Sequence, residues 1–392
     1  MMAKGWNAEK AFPPRRRKEK RHAAPAATYR CRYNVPPNIR AQRAVSNPLR
    51  GRRGEPYSPP RRGAKGGEPH DAECSFRIMK LCGDIGGTKA LLALTDDEGA
   101  LHARCRLECA DFADFPALLA DYLERSGIAP GALAGGCLAV AGPVADDGGS
   151  ARLTNLPWTL DAGELRRRFG LPALTLINDF AAAALGVTTI GAGSLVTLQA
   201  GAPLAQGVKL VVGAGTGLGM AVLVPTAAGW RVLPGEGGHA AFAPADEAQL
   251  ALWRHLHARH GRVGWEHVVS GMGIAAIHRF LGGADLEPQA IAAAALAASP
   301  GAPEGVEQRT LDLFLAAYGA FAGDMALALM ARGGVYLAGG IAAKILPLLR
   351  SGGFMAAFNA KDGHSELAAR MPVHVVTDAE LGLKGAAAAI EF

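Results

Sequence analysis

Four short stretches of the sequence place acidic, amide or imidazole side chains beside glycines or at the ends of apolar runs. They are "GDIGGT" (83–88), "INDF" (177–180), "PGEGGHAAF" (234–242) and "GWEHVVSGMG" (264–273). A carboxylate at the end of a strand can hold a metal ion or serve as a general base. Plainer interpretations exist for the three leading acids: a turn for Asp84, a helix N-cap for Asp179 and a solvated first-turn acid for Glu266.

Three glycine turns follow apolar strands, at "GDIGGT", "GAGTGLG" (213–219) and "AGGI" (338–341). Glycines let backbone N–H groups approach a polyphosphate without bulky Cβ atoms. The turns do not match the Walker A pattern, and "GAGTGLG" lacks the helix and later acid of a dinucleotide-binding unit. A P-loop NTPase and a dehydrogenase are therefore disfavoured.

Glu236 and His239 stand three residues apart among glycines. A metal pair is conceivable, but no further His or Cys lies nearby, and a polar site for hydroxyl groups fits better. The six cysteines form no CxxC pair, so neither zinc nor a disulfide framework is predicted and a reducing cytoplasm is the default. No run of about 18 apolar residues suggests a membrane span.

Strands and helices alternate along the chain from residue 79, which predicts an α/β fold with a mixed sheet. A strand, a glycine turn and a second strand open the unit at 79–94, and the same plan recurs at 209–225. Residues 246–332 are mainly helical in pattern. Two such units predict two lobes with a cleft between them, where ligands tend to bind.

Residues 1–78 differ from the rest in composition and charge. Residues 1–76 carry 18 Lys/Arg and 6 Asp/Glu, a net charge of +12, whereas the remainder carries 23 and 29, a net of −6. The stretch lacks apolar periodicity, which predicts a disordered basic arm. It could bind nucleic acid or act as a transit peptide, but a start codon assigned too early, with Met79 as the true start, is favoured. We expect the arm to be dispensable.

Seven motifs together resemble one family. "GDIGGT", "TNLPW", "INDF", "GAGTGLG", "LPGEGGHAAFAP", "SGMG" and "LAGGI" occur in the order found in bacterial glucokinases, hexose kinases of the actin-like ATPase (ribonuclease H-like) fold. The resemblance spans about residues 79–390. It implies a cleft between a smaller α/β domain, 79–188 plus 377–392, and a larger one, 189–376. It also implies phosphorylation of glucose at the 6-hydroxyl by MgATP, in the cytoplasm, as the first step of glycolysis.

The same resemblance implies a role for each motif residue. Asp179 is similar to the general base, and Asp84 to the acid of the first phosphate loop, placed near Mg²⁺ either directly or through water. The implied hexose ligands are Asn178, Glu236, His239, Glu266, Thr154 and Asn155. The implied nucleotide-binding loops comprise Asp84, Gly86, Gly87, Thr88, Gly215, Thr216, Gly217, Gly339 and Gly340. Glucose and ATP are the expected partners, a homodimer is expected, and a membrane or nucleic acid is not.

The sequence departs from this family's pattern in two places. "GGTKAL" places Lys89 and Leu91 where "GGTNAR" is common, and Lys89 resembles the related repressor/open-reading-frame/kinase family. That family's zinc-binding cysteine cluster is missing here. Near the C-terminus "AKDGH" (360–364) replaces "KGRF", which leaves nucleotide contacts in that segment open.

Other functions stay open at the level of sequence. A sugar-sensing regulator that uses the basic arm on DNA is disfavoured, because residues 1–78 show no helix-turn-helix pattern and a regulator has no need of Asp179. A kinase for fructose or an amino sugar, or one that uses polyphosphate as donor, is the closer alternative.

Overall fold

Two mixed β-sheets, each packed against helices, and one small two-stranded sheet make up the β-structure of the described residues. The computed structural model describes residues 78–129, 131–298 and 303–390, so the predictions for residues 1–77 lie outside the described part. Its first elements are β1 (Lys80–Ile85), β2 (Lys89–Thr95), β3 (Leu101–Glu108), α1 (Phe115–Ser126), β4 (Gly136–Val140), β5 (Ser150–Arg152), β6 (Thr159–Asp161), α2 (Ala162–Phe169), β7 (Thr175–Asn178) and α3 (Asp179–Val187).

The remaining elements alternate less regularly, as the helix-rich pattern of 246–332 predicted. They are β8 (Leu195–Gln199), β9 (Lys209–Ala214), β10 (Leu218–Thr226), β11 (Gly229–Gly235), α4 (Glu247–His260), α5 (Gly271–Phe280), α6 (Pro288–Ala297), α7 (Val306–Leu329), β12 (Gly334–Ala338), α8 (Gly340–Lys344), α9 (Leu346–Arg350), α10 (Gly353–Asn359), α11 (Ser365–Ala369), β13 (Val373–Val376) and α12 (Leu381–Ala388).

The first sheet has five strands in the order β3-β2-β1-β4-β7. The meander β1–β2–β3 is antiparallel, whereas β4 and β7 run parallel to β1, which confirms the predicted mixed sheet. In this register Ile85 pairs with Val140, and Val140 pairs with Asn178. Three strands therefore end side by side at one edge of the sheet.

The second sheet has six strands in the order β11-β10-β9-β12-β13-β8. Strands β9, β10 and β11 form an antiparallel meander, while β12 runs parallel to both β9 and β13. Gly213 near the end of β9 pairs with Ala338 at the end of β12. The second and third glycine turns thus follow neighbouring strands at a single edge.

Helices α3 and α12 lie between the two sheets. Helix α12 packs on β1 and β4, α3 packs on β9, β10 and β11, and the two helices pack against each other. Glycines allow the close approach: a Cβ on Gly186 or Gly385 would overlap the backbone carbonyl of Leu381 or Ala182, respectively. The alanine-rich helix "DFAAAALGV" is buried along most of its length for this reason.

Helix starts follow the capping residues in the sequence. The Asp114 side chain accepts a hydrogen bond from Ala117 N–H (2.8 Å) at the start of α1, which ends at Gly127 with φ of 68°. Asp161 caps α2 in the same way, through Glu164 N–H (2.7 Å). Each cap satisfies an N–H that lacks a partner within the helix.

Helix α7 is long and apolar enough, by length and composition alone, to cross a membrane. Its 24 residues instead supply much of the core beside the second sheet. Phe314, Tyr318 and Phe321 are fully buried there, and Tyr318 meets Phe354 of α10 edge-on, with 5.3 Å between ring centroids. A helix that is packed against other elements on most sides is apolar on most sides, so its hydropathy resembles that of a membrane-spanning helix.

Candidate active site

The two acids that the sequence singled out, Asp84 and Asp179, lie at the same edge of the first sheet. Asp84 is the fifth residue of β1, and Asp179 directly follows β7 as the first residue of α3. Both side chains are half-buried. The charge of Asp84 contributes to raising the pKa of Asp179, so the two carboxylates interact electrostatically. The β1–β4–β7 register creates this pair, since parallel strands align their carboxyl ends.

The Asp84 carboxylate lies against the first turn of α12. A Cβ on Gly382 would stand 2.5 Å from Asp84 Oδ2. Any larger residue at position 382 would therefore clash with the Asp84 carboxylate. Burial raises the pKa of Asp84 to about 6, and the nearby positive charge of Lys89 opposes that rise. A carboxylate in such surroundings favours a cation or a proton as its partner.

Asp179 is held by its own helix start. Its Oδ1 accepts hydrogen bonds from Phe180 N–H (2.9 Å) and from Asn178 Nδ2 (3.0 Å). Burial raises the pKa of Asp179 to about 6, and the charges of Asp84 and then Glu236 add to the effect. A carboxylate with a pKa near neutrality is suited to accept a proton from a hydroxyl group.

Asn178, rather than Asp179, is the N-cap of α3. Its Oδ1 accepts from the backbone N–H groups of Phe180 (2.9 Å) and Ala181 (3.2 Å). The plainer interpretation of Asp179 as the N-cap is therefore wrong, because the side chain of Asn178 caps the helix. The Asn178 amide also donates to Asp179, which leaves it one further N–H for a ligand.

The first glycine turn is braced by Cys109 and Asn155. The Cys109 thiol donates to Gly86 O (3.6 Å), and its backbone N–H donates to Thr88 O (2.8 Å). A Cβ on Gly87 would stand 2.7 Å from Asn155 Cβ. Asn155, which the resemblance assigned to the sugar, thus lies against the turn assigned to the nucleotide.

The second and third glycine turns touch each other. Gly339 has φ of 82°, a left-handed conformation, and a Cβ there would lie 2.7 Å from Ala214 O. In the second turn Gly215 N–H donates to Gly217 O (2.8 Å), and Gly215 O accepts from Gly271 N–H at the start of α5 (2.8 Å). Thr216 and Gly340 are both exposed beside this contact.

Glu266 packs against the second glycine turn. Its Oε2 accepts from Leu218 N–H (2.8 Å), and a Cβ on Gly217 would overlap the carboxylate. The acid is half-buried within a 3₁₀ turn, so the interpretation of Glu266 as a solvated helix-start residue is wrong. A residue assigned to the sugar therefore also supports a loop assigned to the nucleotide.

Glu236 and His239 lie farther toward solvent. Their side chains are 80% and 63% exposed, and Glu236 Oε2 stands 3.8 Å from His239 Nε2. The glycines between them pack on β10: a Cβ on Gly238 would overlap Leu218 O. Thr154 is also exposed, and its backbone N–H donates to Ala141 O (3.1 Å), directly after β4.

Asp84 is a carboxylate at this edge of the sheet that could contribute to a metal site. Within the described residues there is no group of three or more His, Cys, Asp or Glu side chains placed to hold a metal ion. Mg²⁺ is usually bound by one or two carboxylates together with substrate phosphates and water, rather than by a cage of protein ligands. The half-buried Asp84 carboxylate beside a glycine turn fits that mode of binding.

Three supporting residues, two of which lie at the site, were not predicted from the sequence. Phe180 packs its ring on Gly213 and Gly219, and Gly382 faces Asp84. Lys361, in the "AKDGH" segment, is 7% exposed and pairs with Asp324 (2.6 Å) of α7. The glycines within β9 and β10 were the available signal for Phe180, because glycine in a strand often marks a close approach. No signal pointed to Gly382.

Two solved glucokinase structures superimpose on this fold. A glucokinase from an Antarctic psychrotroph superimposes with a TM-score of 0.69 at 33% sequence identity, covering 80% of this chain and 98% of that one. The glucokinase of Balamuthia mandrillaris, solved in complex with glucose, gives 0.67 at 23% identity, covering 79% and 93%. The second comparison supports the fold alone.

Sequence comparison identifies the family. A sequence model of the family described as Glucokinase matches residues 81–391. The glucokinase of a Nostoc species is 38% identical over 337 residues, which is 79% of this chain and 98% of that protein. The glucokinase of Mesorhizobium japonicum is 37% identical over 326 residues, covering 81% and 93%. The chain belongs to the glucokinase family, which confirms the resemblance drawn from its motifs.

Proposed function

We propose that this chain transfers the γ-phosphoryl group of ATP to the 6-hydroxyl of glucose, giving glucose 6-phosphate and ADP. Family membership supports the reaction, and one structural observation supports the mechanism. Asp179, whose pKa is raised to about 6, interacts with Asp84 at the ends of two strands that flank β4, and the first glycine turn follows Asp84 at the same edge of the sheet. A base and a phosphate-binding edge are the parts that phosphoryl transfer requires.

In this mechanism Asp179 accepts the proton of the 6-hydroxyl as the oxygen attacks phosphorus. Its Oδ1 is occupied by Asn178 and Phe180, so Oδ2 is the oxygen that faces the substrate. The remaining N–H of Asn178 orients the same hydroxyl. Positioning of this kind contributes much of the rate enhancement in phosphoryl transfer, because the protein forms no covalent bond to the phosphate.

The nucleotide is assigned to the three glycine turns. Backbone N–H groups of Gly87, Thr88, Thr216, Gly217, Gly339 and Gly340 would face the phosphates. Gly86 and Gly215 would shape their turns, since their N–H groups donate to Lys89 O (3.0 Å) and Gly217 O (2.8 Å). Asp84 would hold the nucleotide's magnesium, directly or through water. When bound, magnesium would neutralise charge on the phosphate oxygens.

The sugar is assigned to Asn178, Glu236, His239, Glu266, Thr154 and Asn155. Carboxylates and imidazoles pair with hydroxyl groups as acceptors and donors, and a sugar that lacks the matching hydroxyl leaves them unpaired. Asn155 and Glu266 each touch a glycine turn as well, through Gly87 and Leu218. These two contacts would join the sugar site to the nucleotide site.

The two sheets would belong to two lobes, 79–188 plus 377–392 and 189–376, that close on glucose and exclude water from the phosphoryl group. Compaction in small-angle scattering with saturating glucose tests this closure, and unchanged scattering would contradict it.

A cytoplasmic homodimer that performs the first step of glycolysis completes the proposal. Sedimentation of the purified chain tests the dimer.

The activity should depend on pH through Asp179. A base must be deprotonated, and the pKa of this acid is raised to about 6, so kcat/KM should fall as the pH drops through that value. Because the negative charge of Glu236 contributes to the rise, Glu236→Gln should move this acid limb to lower pH. If kcat/KM stayed constant from pH 8 to below about pH 5, the pKa of the base would be close to that of an ordinary exposed carboxylate. That result would contradict the assignment.

Glu236→Gln should raise the KM for glucose by about 10-fold or more while the KM for ATP stays constant, because it removes a charge-assisted acceptor of a sugar hydroxyl. Glu266→Gln should raise both KM values, since Glu266 also accepts from Leu218 N–H. Steady-state kinetics with each substrate varied checks both expectations. Glu247→Gln, a first-turn acid of α4, is the matched control. A change in the KM for ATP alone would contradict the sugar assignment.

A sugar panel tests the proposed function as a whole. The purified chain would be assayed with glucose, fructose and glucosamine, each with ATP or polyphosphate as donor. Glucose with ATP should give the highest kcat/KM. A higher value for another sugar or for polyphosphate would replace the assigned substrate.

A further inference from the structure

Phe180 joins the base to the second sheet. It follows Asp179 directly, and its half-buried ring packs on β9 and β10. Two glycines make room for it: a Cβ on Gly213 would stand 2.9 Å from Phe180 Cζ, and a Cβ on Gly219 would overlap the ring edge. Gly213 and Gly219 are direct partners in the antiparallel register, so the ring occupies a notch formed by a cross-strand glycine pair.

The backbone of Phe180 holds the other end of this connection. Its N–H donates to both Asn178 Oδ1 (2.9 Å) and Asp179 Oδ1 (2.9 Å). A shift of the ring would move this N–H and, with it, the carboxylate that it orients. The hairpin beneath the ring carries the turn at 215–217, which is assigned to the nucleotide.

We propose that Phe180 is a positioning residue for phosphoryl transfer. Its ring, seated on the Gly213–Gly219 pair, sets the separation between the Asp179 carboxylate and the second glycine turn. This role rests on the proposed function, because it places the proton acceptor relative to the phosphoryl donor. A merely space-filling ring would affect stability alone, whereas a positioning ring must affect kcat at unchanged sugar binding.

The experiment approaches the contact from both sides. Phe180→Leu shortens the ring side chain, and Gly219→Ala pushes the intact ring out of its notch. Each variant should lower kcat by about tenfold or more, with the KM for glucose within about threefold of the parent, since small misplacements of reacting groups have large effects on rate. Phe280→Leu, which alters a half-buried ring of α5 outside this contact, should leave kcat unchanged.

A double-mutant cycle then decides whether one contact is responsible. Phe180→Ala combined with Gly219→Ala should lose little more activity than the worse single variant, because the added methyl group no longer meets a ring. Lower melting temperatures with kcat within twofold of the parent, or losses that multiply in the double variant, would overturn the positioning role. A parent that phosphorylates no sugar would overturn the proposed function and, with it, this role. An active parent whose variants keep the parental kcat would overturn the positioning role alone.

Discussion

Asp179→Asn is expected to lower kcat for glucose phosphorylation by about 10²- to 10⁴-fold, the usual effect of losing a general base. The KM for glucose should change little, because asparagine keeps the shape of the side chain and an oxygen that can accept from Phe180 N–H (2.9 Å). Steady-state kinetics on the purified variant measures both constants. Turnover within threefold of the parent would remove Asp179 from the mechanism.

The same substitution should stabilise the folded chain at neutral pH. The folded pKa of Asp179 is raised to about 6 from 3.8, so the ionised form is disfavoured by folding. Stability is therefore lost as the pH rises from about 4 through 6, and asparagine avoids this loss. The melting temperature at pH 7 should rise by about 2 °C, and the difference should vanish near pH 4. Asp246→Asn, at the N-cap of α4, is the control and should leave the melting temperature nearly unchanged, because asparagine caps a helix about as well as aspartate.

Asp84→Asn is expected to lower activity and the apparent affinity for Mg²⁺ by about 10- to 100-fold, the range observed when a group that supports a metal is removed. The neutral amide no longer attracts the cation that accompanies the nucleotide. Kinetics over a magnesium titration checks the effect. An unchanged magnesium requirement would place the cation elsewhere.

Gly382→Ala tests the position of Asp84 without changing its charge. The added Cβ would stand 2.5 Å from Asp84 Oδ2, so the carboxylate must move. Activity should fall by about tenfold, because displaced charges near the reacting groups lose much of their effect. Gly353→Ala is the control, since a Cβ at the start of α10 would meet nothing within 4 Å. Equal activity in both variants would show that the Asp84 position is not critical.

Much of the fold could be predicted because local signals agree with the tertiary structure. Strand, glycine turn and strand at 79–94 appear as β1 and β2, and the same plan recurs as β9 and β10. Asp161 caps the start of α2, and the apolar run after residue 309 belongs to α7. Glycine turns, capping acids and hydrophobic periods are all read within a few residues of the chain, so one sequence suffices to locate them.

Contacts between distant segments could not be predicted in this way. Gly382 faces Asp84 across nearly the whole length of the folded chain, and nothing near either residue signals the other. Glu266 resembled a sugar ligand, yet its carboxylate also accepts from Leu218 N–H, 48 residues earlier. Phe180 completes the "INDF" motif, but its function depends on a glycine pair that only sheet register brings together. The motifs therefore indicated the reaction, whereas the supporting residues required the three-dimensional structure.

The most direct test of the account is identification of the product formed from glucose and ATP by the parent chain and by Asp179→Asn under identical conditions. Phosphorus and proton NMR of the reaction mixture would establish which hydroxyl is phosphorylated. The parent should convert glucose and ATP into glucose 6-phosphate and ADP, and the variant should form the same product at about 1% of the parental rate or less. A parent that leaves glucose unchanged, or a phosphate on any other hydroxyl, would contradict the central claim.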